Sequence, residues 1–258
     1  MRTASRQTRV ASTVLSALAL TAGCGTADPQ NTAAADATAP TEAGAAEPGA
    51  RTGGKGAAPS KPDFPVPVDV GNATQLTTVK ASGSYATVTA WTKGASGWKA
   101  QFSTASGRVG PDGVTDGATR RQNTYTTPTG TYTMTEGFGV EAGGTAMPYT
   151  VVDRTHWWVQ APESKFYNQM HTEAGADFPL TESGERGSER LINYPTQYAK
   201  ALVVNFNRWP AVPGRGAGTF LHVNDSGATA GCVSLPRPTM NRITGWITPA
   251  AHPRITIG

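Results

Sequence analysis

The 258-residue sequence predicts a mainly β, sandwich-like domain with a few short helices. Three observations carry that expectation. Short segments that alternate apolar and polar residues, or are rich in β-branched and aromatic ones, recur from Tyr85 to the C-terminus. Glycine, proline and asparagine punctuate the gaps between them. A helical period of apolar residues is rare, and clearest between Pro236 and Ile247.

The chain does not begin like a globule. Arg2, Arg6 and Arg9 form a basic start, residues 10–20 are mostly apolar, and Thr21, Ala22 and Gly23 lead into Cys24. A charged start, a short and mostly apolar run and a small-residue cleavage site read as a secretory signal over residues 1–23, since a run of eleven residues cannot span a bilayer. Small residues leading directly into a cysteine resemble a bacterial lipobox, which implies lipidation of Cys24 and attachment to the membrane. Thr21 stands where the usual large aliphatic residue would be, with Leu20 one place earlier. Without the three arginines the net charge falls from +4 to about +1. The remaining charge forms no dense basic patch, which argues against a nucleic-acid partner.

Residues 25–62 contain no Val, Leu, Ile, Met, Phe, Tyr or Trp. Such a segment has no apolar surface to offset the entropy of ordering, so residues 24–62 read as a lipidated cysteine followed by a disordered tether. Its coil dimension is on the order of 35 Å and its full extension ~130 Å. Residues 63–258 are long enough for one domain with its own core.

Within that domain the predicted strands fall at 85–91 (YATVTAW), 98–103 (WKAQFS), 131–135 (TYTMT), 156–159 (HWWV), 201–206 (ALVVNF), 219–223 (TFLHV) and 254–257 (RITI). A helix is expected from Pro236 or Pro238 to about Ile247, with Met240, Ile243 and Ile247 on one face and proline at its start. A shorter helix is expected over residues 189–194, before Pro195.

The chemistry concentrates near the end. A strand pattern runs to His222, a polar glycine-containing loop follows, and Thr229, Ala230, Gly231 and Cys232 form a small-residue turn into apolar sequence. A turn across the nine intervening residues can bring imidazole and thiol face to face. A nearby imidazole lowers a thiol's pKa and relays its proton, and the thiolate is the nucleophile. Gly231 allows close backbone approach, and the amides of Gly231 and Cys232 are candidates for an oxyanion site. With Cys24 lipidated, Cys232 has no partner within the chain, which fits a reactive thiol or an intermolecular pair. A buried inert cysteine fits the cysteine count equally well, and on spacing alone a chance His–Cys pairing on a hairpin is the better account.

The other groups point elsewhere. His156, His171 and His252 read as satisfied or surface histidines, because no second ligand-type residue lies at metal spacing. No His-Glu-x-x-His pattern marks a zinc peptidase, and Gly137 and Gly139 lack the rest of a dinucleotide fingerprint. No metal or other cofactor is implied. Trp157 and Trp158 read as a half-buried strand pair before a glycan platform.

His222 followed by Thr229, Ala230, Gly231, Cys232 and Val233 resembles the active-site motif of the L,D-transpeptidase, or YkuD-type, family. Thr127, Pro128, Thr129 and Gly130, followed by Thr131 and Tyr132, resemble that family's TPTG-plus-aromatic strand start. Trp157-Trp158-Val159, Tyr167-Asn168, Ser188-Glu189 and the final strand at 253–258 occur in the expected order, so the likeness spans residues 79–258. It implies an L,D-transpeptidase-like β-sandwich with Cys232 as nucleophile and His222 as base and proton carrier. It also implies that the Val223 carbonyl orients the imidazole and that the Gly231 and Cys232 amides hold the oxyanion. The implied reaction is cleavage of a peptidoglycan stem peptide through a Cys232 thioester, with transfer to an amine of another stem. A carboxypeptidase hydrolysing the same stems and a non-catalytic wall-binding lipoprotein are the alternatives. No obligate protein partner is implied, and the expected location is outside the membrane, facing the wall. The sequence departs from the family pattern in two places. Ala230 stands where a second histidine is common, and Val233, Ser234 and Leu235 stand where many members carry an arginine for a substrate carboxylate, with Arg237 the nearest substitute.

Overall fold

The computed structural model describes residues 63–258. The expected signal segment 1–23, the lipidation site Cys24 and the tether 24–62 lie outside the described residues.

Strands dominate, as the alternation predicts. β1 (Gln75–Ser82), β2 (Tyr85–Gly94) and β3 (Gly97–Arg108) form an antiparallel meander. Gly83, at φ +57°, opens the two-residue turn between the first two strands. The last strand, β14 (Arg254–Ile257), runs parallel to β1, and β5 (Thr127–Thr133) and β4 (Val114–Asp116) extend that edge. Beyond β3 lie β13 (Val233–Leu235), β12 (Phe220–Val223), β11 (Ala201–Val203), β6 (Gly137–Gly139) and β7 (Tyr149–Val151). The sandwich is therefore one continuous eleven-stranded mixed sheet among the described residues.

Its two halves are joined at a single register pair, Ser234 with Arg108. Val79, Val88 and Ile255 from one half share a buried cluster with Leu202, Leu221 and Val233 from the other, so the sheet folds over a common core. The helix α1 (Arg237–Trp246) starts at Pro236, with Pro238 in its first turn, and adds Met240 and Ile243 to that core.

Two expectations need correction. Residues 189–194 are not one helix: Glu189–Arg190 is a short strand, β10, and only Leu191–Asn193 forms a 3₁₀ turn. β10 pairs with β8 (His156–Trp158), which pairs with β9 (Met170–Thr172), making a second three-stranded sheet. Trp157 and Trp158, at 4% and 1% exposure, are core residues and neither a half-buried pair nor a platform.

Candidate active site

β12 sorts its side chains between two environments. Leu221 and Val223 enter the main core, while Phe220 joins a second cluster with Phe138, Trp158 and Cys232. His222 shares the face of Phe220 because side chains two apart on a strand point the same way. The parallel neighbour β13 aligns Val233 with Leu221 and Ser234 with His222, which sets Cys232, just before β13, beside Phe220. Imidazole and thiol thus emerge on one face of adjacent strands, one two-residue step apart, and both line a cleft of about 240 Å³.

The imidazole is held closely. Nδ1 lies 2.8 Å from the Val223 carbonyl, so Nδ1 carries the proton and Nε2 keeps its lone pair. The Tyr198 ring stands edge-on to it at 5.6 Å. Burial pushes the His222 pKa down to about 4, against smaller opposing effects of the Val223 carbonyl and of Asp225. At neutral pH the imidazole is therefore uncharged, and the imidazolium expected to lower the thiol pKa is not the resting state.

Cys232 is 7% exposed. Its sulfur accepts the Phe220 N–H at 3.4 Å and lies 3.4 Å from the Gly218 carbonyl, to which the thiol donates. Its own carbonyl accepts from the Thr229 hydroxyl at 2.7 Å and the Thr127 hydroxyl at 2.9 Å. The TPTG segment thus fixes the backbone of the cysteine turn. Gly231 sits at φ +128°, and its amide donates over 3.3 Å to the Thr229 hydroxyl. A Cβ at this position would come within 2.9 Å of the Thr126 carbonyl, so the turn requires glycine.

The sequence model of the L,D-transpeptidase (YkuD) catalytic domain matches residues 76–257, more than two thirds of the chain and all of the site just described. The chain belongs to this family. It thereby carries a catalytic domain of the L,D-transpeptidase type. No curated protein matches it. Among solved structures it is similar to Bd1075 of Bdellovibrio bacteriovorus, at 12% identity and a TM-score of 0.38, over 72% of this chain. The chain spans about half, 48%, of the length of that structure.

Within this L,D-transpeptidase domain, His222 alone of the four histidines lines the cleft. His156 pairs with Asp153 at 2.8 Å, and His171 bonds the Thr172 carbonyl at 2.6 Å and lies against Phe166. Arg237 does not supply a cleft cation: its Nη1 donates to both carboxylate oxygens of Glu141, at 2.9 and 3.0 Å, on the exposed side of the fold. Ala230 lines the cleft, leaving it without the histidine common at that position.

Several residues in and behind the cleft are given no role by the sequence. Arg120 reaches the site from the loop before β5, more than a hundred residues from Cys232. Glu189 enters from β10 and accepts the Tyr198 hydroxyl at 2.6 Å. Its carboxyl, sunk in the cleft wall, is pushed up to about 7 by burial, with the Tyr198 hydrogen bond opposing and Glu182 adding to the rise. Asn168, at φ +61° and 2% exposure, is further back. Its oxygen accepts from Trp158 Nε1 and the Gly218 amide, and its nitrogen donates to the Phe206 and Asn207 carbonyls. Tyr167-Asn168 belonged to the resemblance as a matter of order only.

Proposed function

We propose that the protein is a cysteine acyltransferase that forms L,D cross-links between peptidoglycan stem peptides. The observation that supports this most is the shared cleft wall of Cys232 and His222, with Nδ1 committed to a carbonyl and Nε2 left as the base.

In the proposed cycle the Cys232 sulfur attacks the stem carbonyl before the terminal D-residue as its proton passes to His222 Nε2. The C–N bond breaks, the proton moves from His222 to the departing amine, and a thioester remains on Cys232. An acceptor amine then gives its proton to His222 and forms the new amide, and the sulfur is released as thiol. The oxyanion formed at each attack meets the backbone of Gly231 and Cys232. The long Gly231–Thr229 bond is weaker than the charge-assisted bond an oxyanion offers. Export through residues 1–23, lipid at Cys24 and a tether to residue 62 would place this domain in the wall above the membrane.

The test is turnover of a tetrapeptide stem by the mature chain, with and without a second stem as acceptor, followed by mass spectrometry. A cross-linked product with release of the terminal D-residue is expected. Tripeptide alone, whatever acceptor is present, would make the enzyme a carboxypeptidase, and no turnover would leave a wall-binding protein.

A further inference from the structure

Arg120 is a charged side chain with only 7% exposure, yet it takes part in none of the ion pairs among the described residues. Its Nε donates to the Thr126 carbonyl at 2.8 Å and its Nη1 to the Arg215 carbonyl at 3.2 Å. Nη2 makes no hydrogen bond among the described residues. Two glycines give the guanidinium its place. A Cβ on Gly216 would overlap Nη1, and a Cβ on Gly231 would come within 2.7 Å of Nη2. Both glycines have positive φ, +117° and +128°. The fold thus holds a buried cation against the turn that carries Cys232, with one nitrogen uncommitted.

Charge at the sulfur needs such a partner. Cys232 is faced by His222 from β12, by Tyr198 from the 3₁₀ turn before β11 and by Arg120, with Tyr167 behind the guanidinium and Glu189 bonded to Tyr198. Apart from the tyrosines, the other ionisable cleft residues, Glu182, Glu185 and Glu189, are carboxylic acids, and His222 is neutral until about pH 4. A free thiol titrates near about 8.5. Handing its proton to so weak a base is uphill unless the negative sulfur is stabilised by something else. The Phe220 amide at 3.4 Å supplies one dipole. Arg120 is the charge within electrostatic reach: Cys232 raises the Arg120 pKa, against the larger lowering by burial.

We propose that Arg120 is a positioning residue for charge, whose guanidinium stabilises the Cys232 thiolate in place of an imidazolium partner. This rests on Cys232 being the nucleophile of the proposed reaction. It explains how the site works with a buried, weakly basic histidine, and why Gly216 and Gly231 flank the same side chain.

The test is the pH profile of Cys232 alkylation by iodoacetamide, in the full chain with Cys24→Ser so that one thiol reacts. Arg120→Met should raise the midpoint by about one unit or more and slow alkylation at pH 7 by ~10-fold. Arg120→Lys, which keeps the charge, should recover at least half of that shift. His222→Gln should leave the midpoint in place. A folded Arg120→Met protein with the wild-type midpoint overturns the proposal, and so does a His222→Gln midpoint raised by a unit. Should Arg120→Met not fold, the His222→Gln profile decides alone. Carbapenem acylation of the unsubstituted protein, measured alongside, reports on the transpeptidase reading independently: an adduct with an unmoved Arg120→Met midpoint rejects only the role of Arg120.

Discussion

His222 is where sequence and environment pull apart. The residue type suggests a group that titrates near neutrality, but its side chain is buried and its pKa falls from 6.5 to about 4. Between those values the unfolded chain binds a proton that the folded one does not, so stability is lost as pH falls from 6.5 toward 4 and is complete above 6.5. The size of that loss is on the order of 3 kcal/mol. Thermal unfolding of the wild type should therefore weaken more steeply across that window than unfolding of His222→Gln. Parallel slopes for the two proteins would mean that the imidazole is not held neutral.

At the scale of elements, what sequence reveals is what alternation reveals. β2, β3, β12 and β14 were legible because one face of each is apolar, and α1 because Met240, Ile243 and Ile247 repeat above two prolines. β1 was hidden. It is central, buried on both faces, and its threonines read as polar, although Thr77 and Thr78 are fully buried and Thr78 accepts Trp91 Nε1 at 2.9 Å. The 3-residue strands β4, β6, β7 and β9 are too short to show a period. His222 and Cys232 were legible because they share one short segment; Arg120 was not, because folding alone brings its segment to the cleft, and Glu189 and Asn168 entered only by their order in the resemblance, without a role. Asn168 best shows how distant elements support the thiol. Its four hydrogen bonds tie β8, the 206–207 turn and Gly218 together, and Gly218 in turn accepts the Cys232 thiol. Asn168→Ala should cost about 2–4 kcal/mol, since it strands buried partners and removes from φ +61° one of the few side chains that tolerate the left-handed region. A lower urea midpoint at unchanged m-value checks this, and a loss below about 0.5 kcal/mol would show the network to be dispensable.

For the molecule as a whole, the folded sheet gives a frame in which β12 and β13 pack their apolar residues on the core while His222 and Cys232, just before β13, line the cleft. The domain's reach would come from residues outside that frame. If Cys24 carries lipid, Cys24→Ser should move the protein from the membrane fraction to the soluble one while its reaction with stems is unchanged, because two or three acyl chains anchor firmly and their loss leaves nothing comparable. Unchanged partitioning would refute the lipid anchor without touching the chemistry. The chemistry itself stands on one sulfur atom. Intact-mass analysis after incubation with a carbapenem, an acylator of enzymes of this family, tests it most directly. We predict one covalent adduct on the wild-type chain, located at Cys232 and absent from Cys232→Ala, with His222→Ala forming it ~100- to 10,000-fold more slowly. A wild-type chain that gains no mass, or a Cys232→Ala chain that still does, would contradict the account.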